Sequence, residues 1–130
     1  METRKMIAAE KKASGKYNCA QAVLCTYCDL TGIDEMTSCN LCNSFAAGMG
    51  NMEGTCGALV GAGIALGMIT NDKARSMKGM REMMTKFQER NHATQCKALK
   101  GVETKQVLRE CPMCVADACE FLESIISRKQ

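Results

Sequence analysis

The segment from Gly54 to Asn71 constrains the fold of this chain more than any other feature of the sequence. It contains no charged residue, and its continuous apolar run, from Ala58 to Ile69, is 12 residues long. A helix that crosses a bilayer needs about 20 apolar residues. The run is therefore too short for a membrane span, and it predicts a buried central helix over residues 55–70.

Four glycines lie inside this predicted helix, in two pairs with a spacing of four residues. Each glycine costs a helix interior about 1 kcal/mol relative to alanine, so close packing must offset that cost. Because glycine has no side chain, the backbone of a neighbouring helix or a cofactor can approach such a face closely. The pairs are Gly57 with Gly61 and Gly63 with Gly67.

Helical signals also dominate the rest of the chain. No segment alternates apolar and polar residues over a sustained length, and there is one proline in 130 residues. A chain of this length is about the size of one domain. We predict a single all-α domain over residues 1–130, a compact helical bundle around the glycine-rich central helix. The predicted helices cover residues 3–14, 19–31, 37–47, 55–70, 72–91 and 112–127.

Some residues within these helices carry further predictions. Asn18 is the predicted N-cap of the second helix, and Cys111 and Pro112 are the predicted N-cap and first residue of the last. The glycine-rich residues 48–54 are expected to form a loop. In the helix over residues 72–91 an apolar stripe is expected to pack in the core. The stripe consists of Met77, Met80, Met83, Met84 and Phe87.

The charge balance is too even to indicate a polyanion as partner. Seventeen basic and 14 acidic residues give a net charge of +3, so we expect neither nucleic-acid binding nor a membrane footprint. The first six residues lead directly into charged side chains and lack the apolar core of a secretory signal. We therefore expect a cytoplasmic protein, in which thiols stay reduced.

Cysteine is the outlying residue type, with 10 in 130 residues. In a reducing compartment such a count favours metal or redox chemistry over a disulfide scaffold. Cys19, Cys56 and Cys111 stand at predicted helix starts, where free N–H groups and the helix dipole favour thiolate over thiol. Because thiolate attacks disulfides and binds metals, these three cysteines are candidates for the functional site.

Several short segments together carry a family resemblance. They are Asn18–Val23, Phe45–Gly50, Cys56–Ala62, Cys96 with Leu99 and Gly101, and Cys111. Their order resembles the redox-active protein family named for the pattern C_GCAxxG_C_C, over about residues 15–125. The resemblance implies a small helical protein of anaerobic prokaryotes, with an iron–sulfur cluster suspected in related domains. It also implies that the four pattern cysteines are Cys19, Cys56, Cys96 and Cys111.

Four cysteines outside that pattern form a motif of their own. Cys25, Cys28, Cys39 and Cys42 make up C-x2-C-x10-C-x2-C, a ligand spacing known from zinc and iron–sulfur sites. On a continuous second helix the first pair points away from the core face that carries Cys19. The motif predicts a second metal site, or equally a set of unligated thiols at an interface, for example with a second copy of this chain in a homodimer.

The remaining two cysteines and the one histidine receive separate interpretations. Cys114 forms with Cys111 a C-x2-C pair at a helix start, an arrangement that dithiol oxidoreductases use. Cys119 is expected to pack in the core. His92 has no second histidine or carboxylate partner in the pattern, so we expect an ordinary polar role for it.

We conclude from the sequence that the chain is a redox protein with several open alternatives. In the leading interpretation, Cys19, Cys56, Cys96 and Cys111 hold an iron–sulfur cluster and the protein transfers electrons to an unidentified redox partner. The alternatives are a metal-free thiol–disulfide oxidoreductase and a zinc-stabilised interaction module. The four pattern cysteines are expected to converge on one site in each redox interpretation.

Overall fold

Residues 1–128 are described by a computed structural model, and within them the chain forms eight α-helices, one wide π-type turn and no β-sheet. The all-α prediction is confirmed. The helices are α1 (Lys5–Ala13), α2 (Cys19–Leu24), α3 (Cys28–Thr31), α4 (Glu35–Leu41), α5 (Gly57–Thr70), α6 (Lys73–Asn91), α7 (Cys96–Lys100) and α8 (Cys111–Ile126), and the turn is Gly48–Met52.

Helix α5 lies at the centre of the bundle and packs against α2, α6 and α8. Ala58, Leu59, Ala62 and Ala65 on this helix are completely buried, as the charge-free segment predicts. Helix α1 packs on α8 at the outside of the same core. Within residues 1–128, no helix combines the length and the hydrophobicity that crossing a membrane requires.

The first glycine pair of α5 lies directly against the backbone of its neighbours. A Cβ atom added at Gly61 would lie 2.5 Å from the carbonyl oxygen of Ala20 in α2, and one added at Gly57 would lie 2.7 Å from the carbonyl oxygen of Phe45. No side chain fits at such distances. The close approach predicted for this pair is confirmed, whereas Gly67 has open space beside it.

The predicted second helix is wrong as a continuous element, because the chain leaves helical geometry between α2 and α3. Tyr27 has φ −119° and ψ 24°, and its fully buried hydroxyl donates a 2.6 Å hydrogen bond to Glu123 in α8. A buried tyrosine needs such a partner, and the break aims the ring at it. Because of this break, the Leu30 side chain is 39% exposed. Cys25, which a continuous second helix would point away from the core, is instead 6% exposed.

Three other elements also differ from the predictions. The helix predicted over residues 37–47 ends at Leu41. Helix α4 begins at Glu35 and not at residue 37, because the Asp34 side chain accepts a hydrogen bond from the backbone N–H of Thr37 and caps it. Helix α7 was not predicted. The last helix begins at Cys111 with Glu110 as its N-cap residue, so the Cys111 sulfur belongs to the first turn of the helix.

The methionine stripe of α6 is only partly core. Met83 and Phe87 are completely buried, and Met80 and Met84 pack against the core from its edge. Met77 is 53% exposed, so its predicted place in the core is wrong. At 100° per residue Met77 lies about 120° from Met83 around the helix axis, and in this part of α6 it is Gly79 that packs against Leu66 and Ile125.

Replacing Gly61 with alanine should destabilise the fold by about 1–3 kcal/mol, because the added methyl group overpacks the contact with the α2 backbone. Urea denaturation under reducing conditions measures the effect. Gly67→Ala is the matched control in the same helix. Its Cβ meets nothing within 4 Å, so it should stabilise the helix by up to about 1 kcal/mol. Equal midpoints for the two variants would contradict the close packing of α2 on α5.

Candidate functional site

Five cysteines line one cavity of about 190 Å³ in the interior of the bundle. The cavity lies where the first turns of α2, α5, α7 and α8 meet, and each of these helices brings at least one thiol to it. The structure thus gathers all four pattern cysteines and adds a fifth from α8. The five are Cys19, Cys56, Cys96, Cys111 and Cys114.

Cys111 faces the thiol of Cys19 across this cavity. The neighbouring Cys19 thiol favours the thiolate form of Cys111, and Lys100 and Lys12 add positive charge nearby. Together they lower the pKa of Cys111 to about 6, while the pKa of Cys19 is raised by the same interaction and by burial. Because Cys111 is only half-buried, the pair is a reachable thiolate with a protonated thiol beside it.

Cys56 and Cys114 form a second such pair deeper in the structure. The Cys114 thiol is the largest cause that lowers the pKa of Cys56, and the backbone N–H groups of Ala58 and Leu59 at the start of α5 lower it further, against the effect of burial. The pKa of Cys114 is raised in turn. Both side chains are buried, so large reagents cannot reach this pair directly.

Backbone hydrogen bonds between two short segments place Cys96 at the cavity. Its N–H donates to the carbonyl oxygen of Gly54 at 2.9 Å, and the N–H of Cys56 donates to the carbonyl oxygen of Thr94 at 2.8 Å. These bonds hold the start of α7 beside the start of α5. Burial raises the pKa of the Cys96 thiol, and its sulfur lies 4.0 Å from the sulfur of Met52.

Three cationic side chains, Lys12, Lys100 and Arg109, also line the cavity. Arg109 is held by two 3.0 Å hydrogen bonds to the carboxylate of Asp117, whose side chain is 3% exposed. Arg90 donates to the same carboxylate from α6. The positive charges offset the negative charge of thiolates in the cavity, since charges in a partly dry site are weakly screened.

A larger surface groove elsewhere holds no comparable chemistry. It has a volume of about 500 Å³, lies between α6 and α8, and is lined by Lys86, Arg90, Glu120 and Phe121 among others. Three of its charged groups already have partners, since Lys86 pairs with Glu82 and Arg90 donates to Glu120 at 2.8 Å. The cysteine cavity is therefore the better candidate site.

The motif Cys25, Cys28, Cys39 and Cys42 is brought together only in part. The sulfurs of Cys25 and Cys39 are 3.3 Å apart, Cys28 lies beside them against the Ser38 hydroxyl, and Cys42 is completely buried in the core. Within residues 1–128, no group of three or more His, Cys, Asp or Glu side chains is arranged to hold a metal ion. The second metal site stays a prediction.

The remaining expectations concern single residues. Cys119 is completely buried in the core, as predicted. His92 is exposed and ends α6 in the left-handed conformation, with φ 67°. The sequence indicated the four pattern cysteines of the cavity and, through the C-x2-C pair, Cys114, but it carried no signal for the three cations. The C-x2-C spacing with Cys111 was the available signal for Cys114, because residues three apart share a helix face.

Fold and site together define a cysteine-rich, redox-active class of all-α protein. The comparison with family models agrees, since residues 17–125 match the family described as "Putative redox-active protein (C_GCAxxG_C_C)". The chain belongs to this family. No match to the chain is found among curated proteins or among solved structures.

Alkylation of Cys111 by iodoacetamide should reach half of its high-pH rate near pH 6, because only the thiolate reacts. Cys19→Ala removes the thiol that lowers this pKa most, so it should shift this midpoint toward the ordinary thiol value of about 8.5. The pH–rate profile of the alkylated Cys111 peptide, read by mass spectrometry, measures both. Cys28→Ala, outside the cavity, should leave the midpoint in place. An unchanged midpoint in Cys19→Ala would contradict the pairing.

Proposed function

We propose that the chain is a thiol–disulfide redox protein in which Cys111 is the attacking thiolate and Cys19 the resolving thiol. The observation that carries the proposal is the unequal pair at the cavity. Both side chains are half-buried, but the pKa of Cys111 is lowered and the pKa of Cys19 is raised. A nucleophile and a protonated second thiol are the two groups that disulfide exchange requires.

The exchange proceeds in two steps that balance in atoms and electrons. The Cys111 thiolate attacks one sulfur of a substrate disulfide, the substrate S–S bond breaks, and one substrate thiolate leaves with a proton from solvent. Cys19 then gives up its proton and attacks the Cys111 sulfur, which forms the Cys19–Cys111 disulfide and releases the second substrate thiol. The protein loses two electrons and the Cys19 proton, solvent supplies the second proton, and the substrate gains two electrons and two protons.

The groups around the pair support each step. Lys12 and Lys100 stabilise the thiolate before attack. Once the Cys111 sulfur is in a mixed disulfide, it is no longer a thiolate beside Cys19, so the largest cause that raises the pKa of Cys19 disappears. The resolving thiol therefore becomes more acidic only after the first step. The buried Cys56–Cys114 pair lines the same cavity.

Trapping tests this order of attack. With glutathione disulfide, Cys19→Ser should retain one glutathione on Cys111, whereas Cys111→Ser should lose the reaction at the cavity. Peptide mapping by mass spectrometry after an acid quench locates the adduct. Cys28→Ser is the control and should behave as the unaltered chain does. Glutathione retained on Cys19 in Cys111→Ser, with none on Cys111 in Cys19→Ser, would reverse the proposed roles and refute the assignment.

An iron–sulfur cluster at the same cavity is the second candidate. Five thiols and three cationic side chains line the cavity, and cysteine thiolates are the usual ligands of such clusters. This set of thiols suits a cluster better than a single metal ion. The ligands of a cluster bind different iron atoms, so they stand farther apart than the ligands of one ion. Cys19, Cys56, Cys96 and Cys111 would hold the cluster, which when bound accepts and donates single electrons. Lys12, Lys100 and Arg109 would offset its negative charge.

Cys96 separates the two candidates, because it belongs to neither thiol pair. If a cluster is present, the anaerobically purified protein should contain iron and sulfide and absorb in the visible range, and Cys96→Ser should lose most of the iron. Cys28→Ser should keep it. Disulfide exchange at Cys111 should survive Cys96→Ser. Colourless, iron-free protein after anaerobic reconstitution would exclude the cluster, and bound zinc in that sample would instead favour the interaction module.

The cellular location and the redox partner are also proposals. We propose a cytoplasmic location, because the chemistry of free thiols requires a reducing compartment. The redox partner is a protein or small molecule that either contains a disulfide or accepts single electrons. A homodimer stays a prediction.

A further inference from the structure

Cys25 and Cys39 are in direct sulfur contact outside the cavity. Their Sγ atoms are 3.3 Å apart, although Cys25 ends α2 and Cys39 lies in α4. Neither sulfur lines the cavity, and neither belongs to the four-cysteine pattern of the family. Two thiols at this separation are close enough to bond after small side-chain rotations, since neighbouring elements already hold them face to face.

The two sulfurs differ in access. Cys39 is half-buried and Cys25 is 6% exposed, so a reagent in solution meets Cys39 first. Cys25 lies behind it, and burial is the largest cause that raises the pKa of its thiol. Cys25 thus has the position of a resolving thiol.

We propose that Cys25 and Cys39 form a second, independent redox site, which closes as a disulfide between α2 and α4. The Cys39 thiolate attacks a low-molecular-weight disulfide such as glutathione disulfide, whose S–S bond breaks and releases one thiol. The Cys25 thiolate then attacks the Cys39 sulfur and releases the second thiol. The two cysteines lose two electrons and two protons, and the glutathione disulfide gains them.

Formation of this disulfide would link α4 covalently to the end of α2. In the reduced chain, hydrogen bonds hold α4 in place. The Glu35 carboxylate of α4 accepts a 2.6 Å hydrogen bond from the Tyr17 hydroxyl. The Gln21 amide of α2 donates to the Cys39 carbonyl oxygen at 3.0 Å. The Gln21 side chain also accepts from the N–H of Asn18, the residue before Cys19. The second site is therefore joined to the start of α2, which carries a sulfur of the cavity.

The test is oxidation of the full-length chain in graded mixtures of glutathione and glutathione disulfide, quenched with acid and mapped by mass spectrometry. We expect a cross-linked peptide pair that contains Cys25 and Cys39 and has lost two hydrogen atoms. Cys25→Ser should retain glutathione on Cys39. On oxidation, hydrogen exchange in α4 should slow by about tenfold or more, because the cross-link removes open states.

Cys28→Ser is the matched control, since its sulfur contacts Ser38 and not Cys39, and it should leave the cross-link unchanged. The cross-link should also form in Cys19→Ser/Cys111→Ser, which separates this site from the proposed function of the cavity. Far-UV circular dichroism verifies that each variant is folded. All four thiols of the motif remaining reduced at the most oxidising ratio, or a Cys25–Cys28 cross-link in place of Cys25–Cys39, would overturn the proposal. So would one zinc ion per chain that protects Cys25, Cys28 and Cys39 from alkylation.

Discussion

The contact between α2 and α5 at Gly61 is the constraint on which the rest of the structure depends. The Ala20 carbonyl oxygen occupies the space in which a side chain at this position would lie. Helices at such a separation bring their first turns together, and the residues there are Cys19 on α2 and Cys56 just before α5. Gly61 lowers the helix propensity of α5, and the close packing that it permits offsets this cost. The contact places Cys19 beside the start of α5, where a Cβ atom at Gly57 would lie 3.3 Å from the Cβ atom of Cys19.

Convergence of helix starts has an electrostatic consequence. The positive ends of several helices meet at one place, together with Lys12, Lys100 and Arg109. This concentration of positive charge is electrostatically unfavourable unless negative charge balances it, and thiolates supply that negative charge. The Asp117 carboxylate, buried behind the cavity, binds Arg109 and Arg90 and keeps the guanidinium of Arg109 at the wall. The positive charge therefore favours ionised sulfur in this part of the molecule, against the effect of burial.

The ten cysteines divide by environment, although the residue type is the same. Cys119 and Cys42 are completely buried, and burial raises the pKa of each, so they behave as small apolar residues. Cys111 has the same side chain, but a neighbouring thiol and two lysines lower its pKa. Cysteine content alone thus indicates that sulfur chemistry is available, while the neighbours of each sulfur decide which sulfur performs it.

The sequence by itself determined the all-α class, the central helix and the positions of Cys19, Cys56 and Cys111 at helix starts. These follow from residues close together in the chain: the apolar run of α5, its glycine spacing, and the Asn18 side chain that caps α2. The break before α3 follows from a hydrogen bond between Tyr27 and Glu123, 96 residues apart. The pairing of Cys56 with Cys114 and the contact of Cys25 with Cys39 also join separate helices. Only the tertiary structure decided them, because local periodicity and capping carry no information on which distant side chains packing brings together.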